Sequence, residues 1–274
     1  MMLRPLSLIK LPVFLLVYLS LNVASAQVYN SSISAASGGT GRGSIEPGDA
    51  LLLNSATLPH LKGRFLFTSF AKDEFAASLS DNTTESVVPA GLSYVQKKST
   101  SSFGDLKQQD IAVTLADFVV EKFSMGLTGH YTEQKIPNAS YSQTNVDLGF
   151  LYTPFSNLGI GLVGYNLLGE QDNIPKEFRE KTSVGAGFNF IYQNSIRFRV
   201  DATSESFYGV GLETYLNKFI ITRFGYSNDT DDSRQLLTAG VGFNGPRFQI
   251  NYAYQGNTEK SGDYRHSVDL VIPF

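Results

Sequence analysis

Hydrophobic and polar positions alternate with a period of two along most of this chain. In the closing RHSVDLVIPF, His266, Val268, Leu270, Ile272 and Phe274 share one face, and Arg265, Ser267 and Asp269 share the other. The same alternation recurs upstream. Ile111, Val113 and Leu115 oppose Ala112 and Thr114, while Val184, Ala186, Phe188 and Phe190 oppose Gly185, Gly187 and Asn189. Phe198 and Val200 oppose Arg197, Arg199 and Asp201, while Val210 and Leu212 oppose Gly211 and Glu213. Period-two patterning predicts strands lying between two different environments. The last strand stops on an aromatic, which fits a strand that must pair with the first to close a sheet.

The connections separate a membrane barrel from a soluble sandwich. Read back from the last strand, they alternate between long and short. QGNTEKSGD, SNDTDDSR and LLGEQDNIPKEFREK are long, whereas FNGP, YLNK and TPFSN are short, and the short outer connection at Ser204–Ser206 is the exception. Transmembrane barrels have short turns at one end and longer loops at the other. The pattern predicts an all-β fold, a transmembrane antiparallel barrel of about fourteen strands, with twelve as the alternative. The choice turns on Arg64–Ser80, read as a hairpin turning at Ala71-Lys72-Asp73.

Composition agrees. The chain has 25 glycines, 20 phenylalanines, 14 tyrosines and no tryptophan. It has no cysteine, which excludes a disulfide framework. A net charge of −3 without a long basic run argues against nucleic acid as a partner. Residues 1–26 carry Arg4 and Lys10, an apolar run from Leu11 to Leu21, and then Ala24-Ser25-Ala26. That order predicts a cleaved secretory signal peptide. Residues 27–62 do not alternate and are read as an N-terminal plug, leaving 63–274 for the barrel. Within the plug, Asp49 is the expected N-cap of a short helix over Leu51, Leu52 and Leu53 that ends before Pro59.

GGTGRGSIEPGDALLLNSATL resembles the N-terminal signature of outer-membrane barrels similar to the long-chain fatty-acid transporter (FadL-like), although Asn54-Ser55-Ala56-Thr57-Leu58 replaces an "NPAGL"-type helix. VDLGFLYTP, LGIGLVGYNLLG, YGVGLETYL, ITRFGY and the closing HSVDLVIPF follow in the expected order, closest to the PorV/PorQ-like branch. The resemblance implies a fourteen-stranded barrel with a plug, in the outer membrane of a Gram-negative bacterium. It implies passive transport of hydrophobic small molecules. The alternatives are a structural or secretion-associated barrel that binds a protein partner and, more weakly, a general porin.

Candidate site residues follow from this. Leu51, Leu52, Leu53, Asn54 and Leu58 either touch a hydrophobic ligand or seat the plug. Asp147, Arg197, Arg199, Asp201, Glu213, Arg223 and Asp269 share the inward face. They form either a lumen ion-pair network or a site for an anionic head group, because charge on the lipid face costs about 2–4 kcal/mol at the midplane. The row His266, Val268, Leu270, Ile272 and Phe274 resembles the signal that barrel-assembly machinery reads by strand addition. The chain's three histidines, His60, His130 and His266, lie near no recognisable nucleophile motif, so no catalysis is expected. Asn228–Asp232 offers carboxylates but lacks complete calcium-loop spacing, so no metal and no cofactor is assigned. Expected partners are outer-membrane lipid, the assembly machinery, and a hydrophobic ligand or a secretion protein.

Overall fold

The computed structural model describes residues 29–101, 104–231 and 233–274. The signal-peptide reading, residues 1–26, lies outside the described residues. Fourteen strands are present: β1 (Gly63–Ala71), β2 (Glu74–Asn82), β3 (Ala90–Ser101), β4 (Gly104–Val120), β5 (Phe123–Ile136), β6 (Ala139–Phe155), β7 (Leu158–Tyr165), β8 (Ser183–Tyr192), β9 (Ile196–Thr203), β10 (Phe207–Tyr215), β11 (Ile220–Asp229), β12 (Arg234–Asn244), β13 (Gln249–Asn257) and β14 (Tyr264–Pro273). Each pairs antiparallel with its sequence neighbour, and β14 pairs with β1 to close the barrel, with Phe65 opposite Pro273 and Ala71 opposite Ser267. Closure leaves no edge strand, as a hydrocarbon environment requires. The hairpin expected at Ala71-Lys72-Asp73 is present, with Asp73 in the left-handed region at φ 62°.

The period-two faces fall as their chemistry demands. Val113, Phe198, Val200 and Val210 point outward and remain exposed. Their partners in the alternation, Ala112, Arg199 and Asp201, point inward and are buried. An apolar outer face around a closed wall is the surface of a barrel that sits in lipid.

The loop pattern differs from expectation. β11 and β12 run to Asp229 and from Arg234, so half of SNDTDDSR is strand and only 230–233 connects them. Connections at the same end are as short as 72–73 and 137–138, and a turn as long as 83–89 sits at the opposite end. Only 166–182 is long. Polar residues can extend a strand past the bilayer as readily as they can loop, because their side chains find water either way. That is what β3–β6 do: β4 and β6 have 17 residues each, against 8 in β7. The end carrying 166–182 is called the loop end below, and the end carrying Gly63 and Phe274 the terminal end.

The plug fills the lumen. A short helix, α1 (Ser32–Ala36), packs against β11–β14, with Ala35 and Ala36 against Ala253. A 3-10 segment, Ser55–His60, packs against β2, β4, β5 and β6. The helix expected over Leu51–Leu53 is absent. Those residues form turns, Pro59 lies inside the 3-10 segment, and Asn54 is its N-cap, accepting from the Ala56 amide at 3.1 Å. The Asp49 side chain instead accepts a hydrogen bond from Ser31 Oγ at 2.5 Å. Pro59 offers no amide to the Ala56 carbonyl, which accepts from Ser124 Oγ at 2.6 Å instead.

Candidate functional site: a sealed lumen with cavities on both faces of the plug

The segment GGTGRG crosses the lumen and brings its backbone against the wall. Gly38 and Gly39 adopt φ 70° and 73°, a region nearly closed to side chains other than glycine. Glycines on the wall meet this backbone. A Cβ on Gly211 would sit 2.6 Å from the Ser37 carbonyl oxygen, and Cβ atoms on Gly159, Gly161 and Gly209 would overlap the carbonyls of Gly43, Arg42 and Gly38. The inward glycines of β7, β8, β10 and β11 therefore serve as clearance for the plug.

Polar side chains then clamp it. Asp201 accepts from the amides of Gly41 and Arg42 at 3.0 and 2.9 Å and pairs with Arg42 Nη1 at 3.1 Å. Arg42 Nε donates to Tyr165 Oη at 2.9 Å, and Tyr165 donates in turn to the Leu53 carbonyl at 2.7 Å. Asp269 accepts from the Ser32 amide and hydroxyl at 2.5 and 2.7 Å. Thr238 accepts from the Gly38 amide at 3.1 Å and donates to the Ala36 carbonyl at 2.9 Å. Asn54 Nδ2 donates to the Arg42 carbonyl at 2.7 Å. A buried ion pair costs desolvation, and here the extra amide donors to Asp201 offset it.

A second cluster holds Glu46 of the plug. Glu46 pairs with Arg197 and, at 3.3 Å, with Arg199. Glu213 pairs with Arg197, Arg199 and Arg223 at 3.2, 3.5 and 2.5 Å. Six of the seven inward charges named from the sequence thus contact the plug or each other. Asp147 stands apart, which corrects its grouping with the rest. It accepts from His130 Nε2 at 3.0 Å and from the Asn166 amide at 2.8 Å, while His130 Nδ1 meets Asp110 at 3.1 Å. Only the imidazolium form donates to both carboxylates at once.

Cavities open on both faces of the plug. At the loop end, one of about 100 Å³ is floored by Tyr29, Leu51 and Leu52 and walled by Val95, Lys97, His130 and Asp147. Glu180, from the 166–182 loop, also lines it. This loop folds inward. Ile174 and Phe178 are buried, Phe178 stacks on Tyr141 at 5.4 Å, and its carbonyl accepts from Gln143 Nε2 at 2.8 Å. Burial pushes the Glu180 carboxyl up to about 7. A neighbouring cavity of about 140 Å³ is lined by Arg42, Phe207 and Arg265. At the terminal end an open vestibule of about 990 Å³ begins at Gly43. Arg42 lines the 140 Å³ cavity and the consecutive Gly43 lines the vestibule, so the plug separates the two ends here.

The leucines named from the sequence divide between these surroundings. Leu51 and Leu52 line the loop-end cavity. Leu53 and Leu58 are buried in packing, and Asn54 is committed to hydrogen bonds within the plug and to the Phe150 carbonyl of β6. His60 does meet a serine, with Nε2 at 3.1 Å from Ser124 Oγ. That hydroxyl donates to the Ala56 carbonyl at 2.6 Å, so it is anchored rather than activated. His266 sits among Tyr252, Tyr254 and Tyr264 on the outer face and meets Tyr252 Oη at 2.7 Å. Sequence reasoning missed Arg42, Tyr165 and the inward glycines. The glycines had a signal, since they recur on the inward face of successive strands.

No family model matches the chain, and no curated protein matches it. Solved structures do. The monoaromatic hydrocarbon channel CymD is 13% identical with a TM-score of 0.71, over 92% of this chain and 99% of that one. The Ralstonia pickettii toluene transporter TbuX is 14% identical with a TM-score of 0.64, over 92% and 98%. A Pseudomonas aeruginosa FadL homologue is 12% identical with a TM-score of 0.65, over 89% and 98%. A closed fourteen-stranded wall around an N-terminal plug is thus the fold this chain shares with the FadL-like hydrocarbon channels.

Proposed function

We propose that this chain is an outer-membrane barrel that passes small hydrophobic molecules passively, with the plug as its gate. The observation that carries the reading is the pair of loop-end cavities, one over Leu51 and Leu52 and one at Arg42, parted from the vestibule at the other end by a plug in which Arg42 and Gly43 are consecutive. The volume of the cavity over Leu51 and Leu52, about 100 Å³, limits the size of what it can hold. An apolar cavity of about 150 Å³ holds benzene; this one is smaller and is lined by Lys97, Asp110, His130, Asp147 and Glu180 as well as by Leu51, Leu52 and Val95, so a small molecule suits its size and a long acyl chain does not. The similar structures include channels for monoaromatic hydrocarbons and for toluene, which agrees in size. The outward row His266, Val268, Leu270, Ile272 and Phe274 is the segment we assign to the assembly machinery.

The test is stabilisation by ligand. A ligand at one hundred times its Kd adds about 2.7 kcal/mol to the folded state. Toluene should raise the temperature at which the purified barrel loses its compact, heat-modifiable migration, and Leu52→Asp should abolish that rise without unfolding the barrel. An unchanged temperature at saturating toluene sinks the reading.

One observation favours a second reading, a barrel that binds a protein partner. β3–β6 project beyond the rest of the wall at the loop end, and the described lumen is sealed. Deleting the projecting hairpin tip of β5 and β6 separates the two readings, since it spares toluene binding and removes the partner surface.

A further inference from the structure

The cavity over Leu51 and Leu52 has two unlike sides, and the passage of apolar molecules accounts for only one of them. Tyr29, Leu51, Leu52 and Val95 make the apolar side. Lys97, Asp110, His130 and Asp147, from β3, β4, β5 and β6, make the other. The polar side is within reach of a ligand. The Asp110, Asp147 and His130 side chains keep 17%, 14% and 19% of their surface exposed, and all three line the cavity.

The two sides meet at one place. Asp110 stands opposite Val95 in the β3–β4 ladder, and Lys97 follows Val95 on the same inward face. The Lys97 ammonium lies 5.8 Å from the centre of the Tyr29 ring, over the cavity floor. Asp110 is held without being exhausted. Its Oδ1 accepts from Thr132 Oγ1 at 3.0 Å, and its Oδ2 meets His130 Nδ1 at 3.1 Å. A carboxylate has roughly four lone-pair sites, so Asp110 can accept a further donor. Charge favours a neutral one. Asp110 and Asp147 share one imidazolium, Lys97 adds a second positive charge, and burial pushes Glu180, the third carboxyl of the lining, up to about 7.

Resting on the passage reading, we propose that this cavity selects small apolar molecules that carry a hydroxyl group, which donates to Asp110 and accepts from Lys97. The apolar part of the ligand covers Leu51, Leu52 and Val95. A plain hydrocarbon of the same size takes Asp110 and Lys97 out of water and returns no hydrogen bond. A site whose polar groups are left unpaired in this way discriminates strongly against the analogue that lacks the hydroxyl.

Phenol and toluene are the probes, alike in size and differing by a hydroxyl for a methyl group. Each is titrated calorimetrically into the purified barrel and its variants, against a detergent blank. The change in each Kd on substitution is compared, which cancels the unequal affinity of the two probes for water. Asp110→Leu should weaken phenol about tenfold or more, the worth of one hydrogen bond to a charged group, and leave toluene unchanged or tightened. Asp110→Asn keeps an acceptor oxygen and should restore most of the phenol affinity. Lys97→Met should weaken phenol severalfold and again spare toluene. Heat-modifiable migration checks that each variant is folded. Equal losses for both probes in the folded variants, or phenol affinity unchanged in them, overturns the hydroxyl site, while toluene binding to the parent barrel upholds the passage reading. A parent barrel that binds neither probe sinks both.

Discussion

Along β7, β8, β10 and β11 the plug meets the wall backbone to backbone, through inward glycines. Along β14, β1 and β3 it meets the wall through side chains, with Phe67, Val95 and Val271 packed around Tyr29 and the loop-end cavity opening beside them. The two contacts have different mechanics. Glycine against carbonyl leaves nothing that can change rotamer, and Asp201 locks the register with three hydrogen bonds. Side-chain packing next to a cavity can rearrange at modest cost. Plug movement should therefore begin on the β1–β3 side and pivot on the glycine side.

The largest expected effect tests the pivot. Asp201→Ala strands Arg42 as a buried, unpaired charge and should cost about 3–5 kcal/mol. Planar-bilayer recording should then show an open conductance as the plug leaves the wall. A variant that stays closed and as stable as the parent removes the clamp from the account.

Gly161→Ala comes next. Its methyl overlaps the Arg42 carbonyl, and overpacking of this kind costs about 1–3 kcal/mol. Gly129→Ala is the control, because a Cβ there meets nothing within 4 Å. Equal urea midpoints for the two variants would break the comparison between halves.

A smaller effect lies over the cavity. Glu180 has its folded-state carboxyl raised to about 7 by burial, so the closed loop binds a proton that the open loop releases. Closure is then fully stabilised below the ordinary glutamate range, near pH 4.5, and weakens as pH rises through 7. Hydrogen exchange over 174–180 should quicken between pH 5 and 8, after correction for intrinsic rates, and Glu180→Gln should flatten the trend. The smallest effect is the Tyr141–Phe178 stack, worth about 0.5–1.5 kcal/mol in a double-mutant cycle.

The strands could be read because each residue's environment was encoded two positions away. Arg197, Arg199 and Asp201 had to face inward wherever the lumen lay, and the aromatic rows had to face out. The hairpin at Lys72-Asp73 and the closure of β14 on β1 followed from the same pattern. The helix over Leu51–Leu53 was misread because three leucines in a row carry no period, and the turn they form is set by burial under Gly91 and beside the cavity. Asp147 was misgrouped because parity tells the face of the wall and not the height along it.

The plug site was legible only in part. A glycine-rich, non-alternating leader marked a plug, but not that Arg42 would reach Asp201, 159 positions away. Nor did any local pattern show that Tyr165 would bridge Arg42 and Leu53. The sequence alone determined a closed, lipid-facing wall, because alternation between oil and water is a local requirement on each strand. Only the tertiary structure decided which glycines clear the plug, which charges clamp it and where cavities remain. Those depend on distant segments sharing one lumen, where every buried donor and acceptor must find its partner across the barrel.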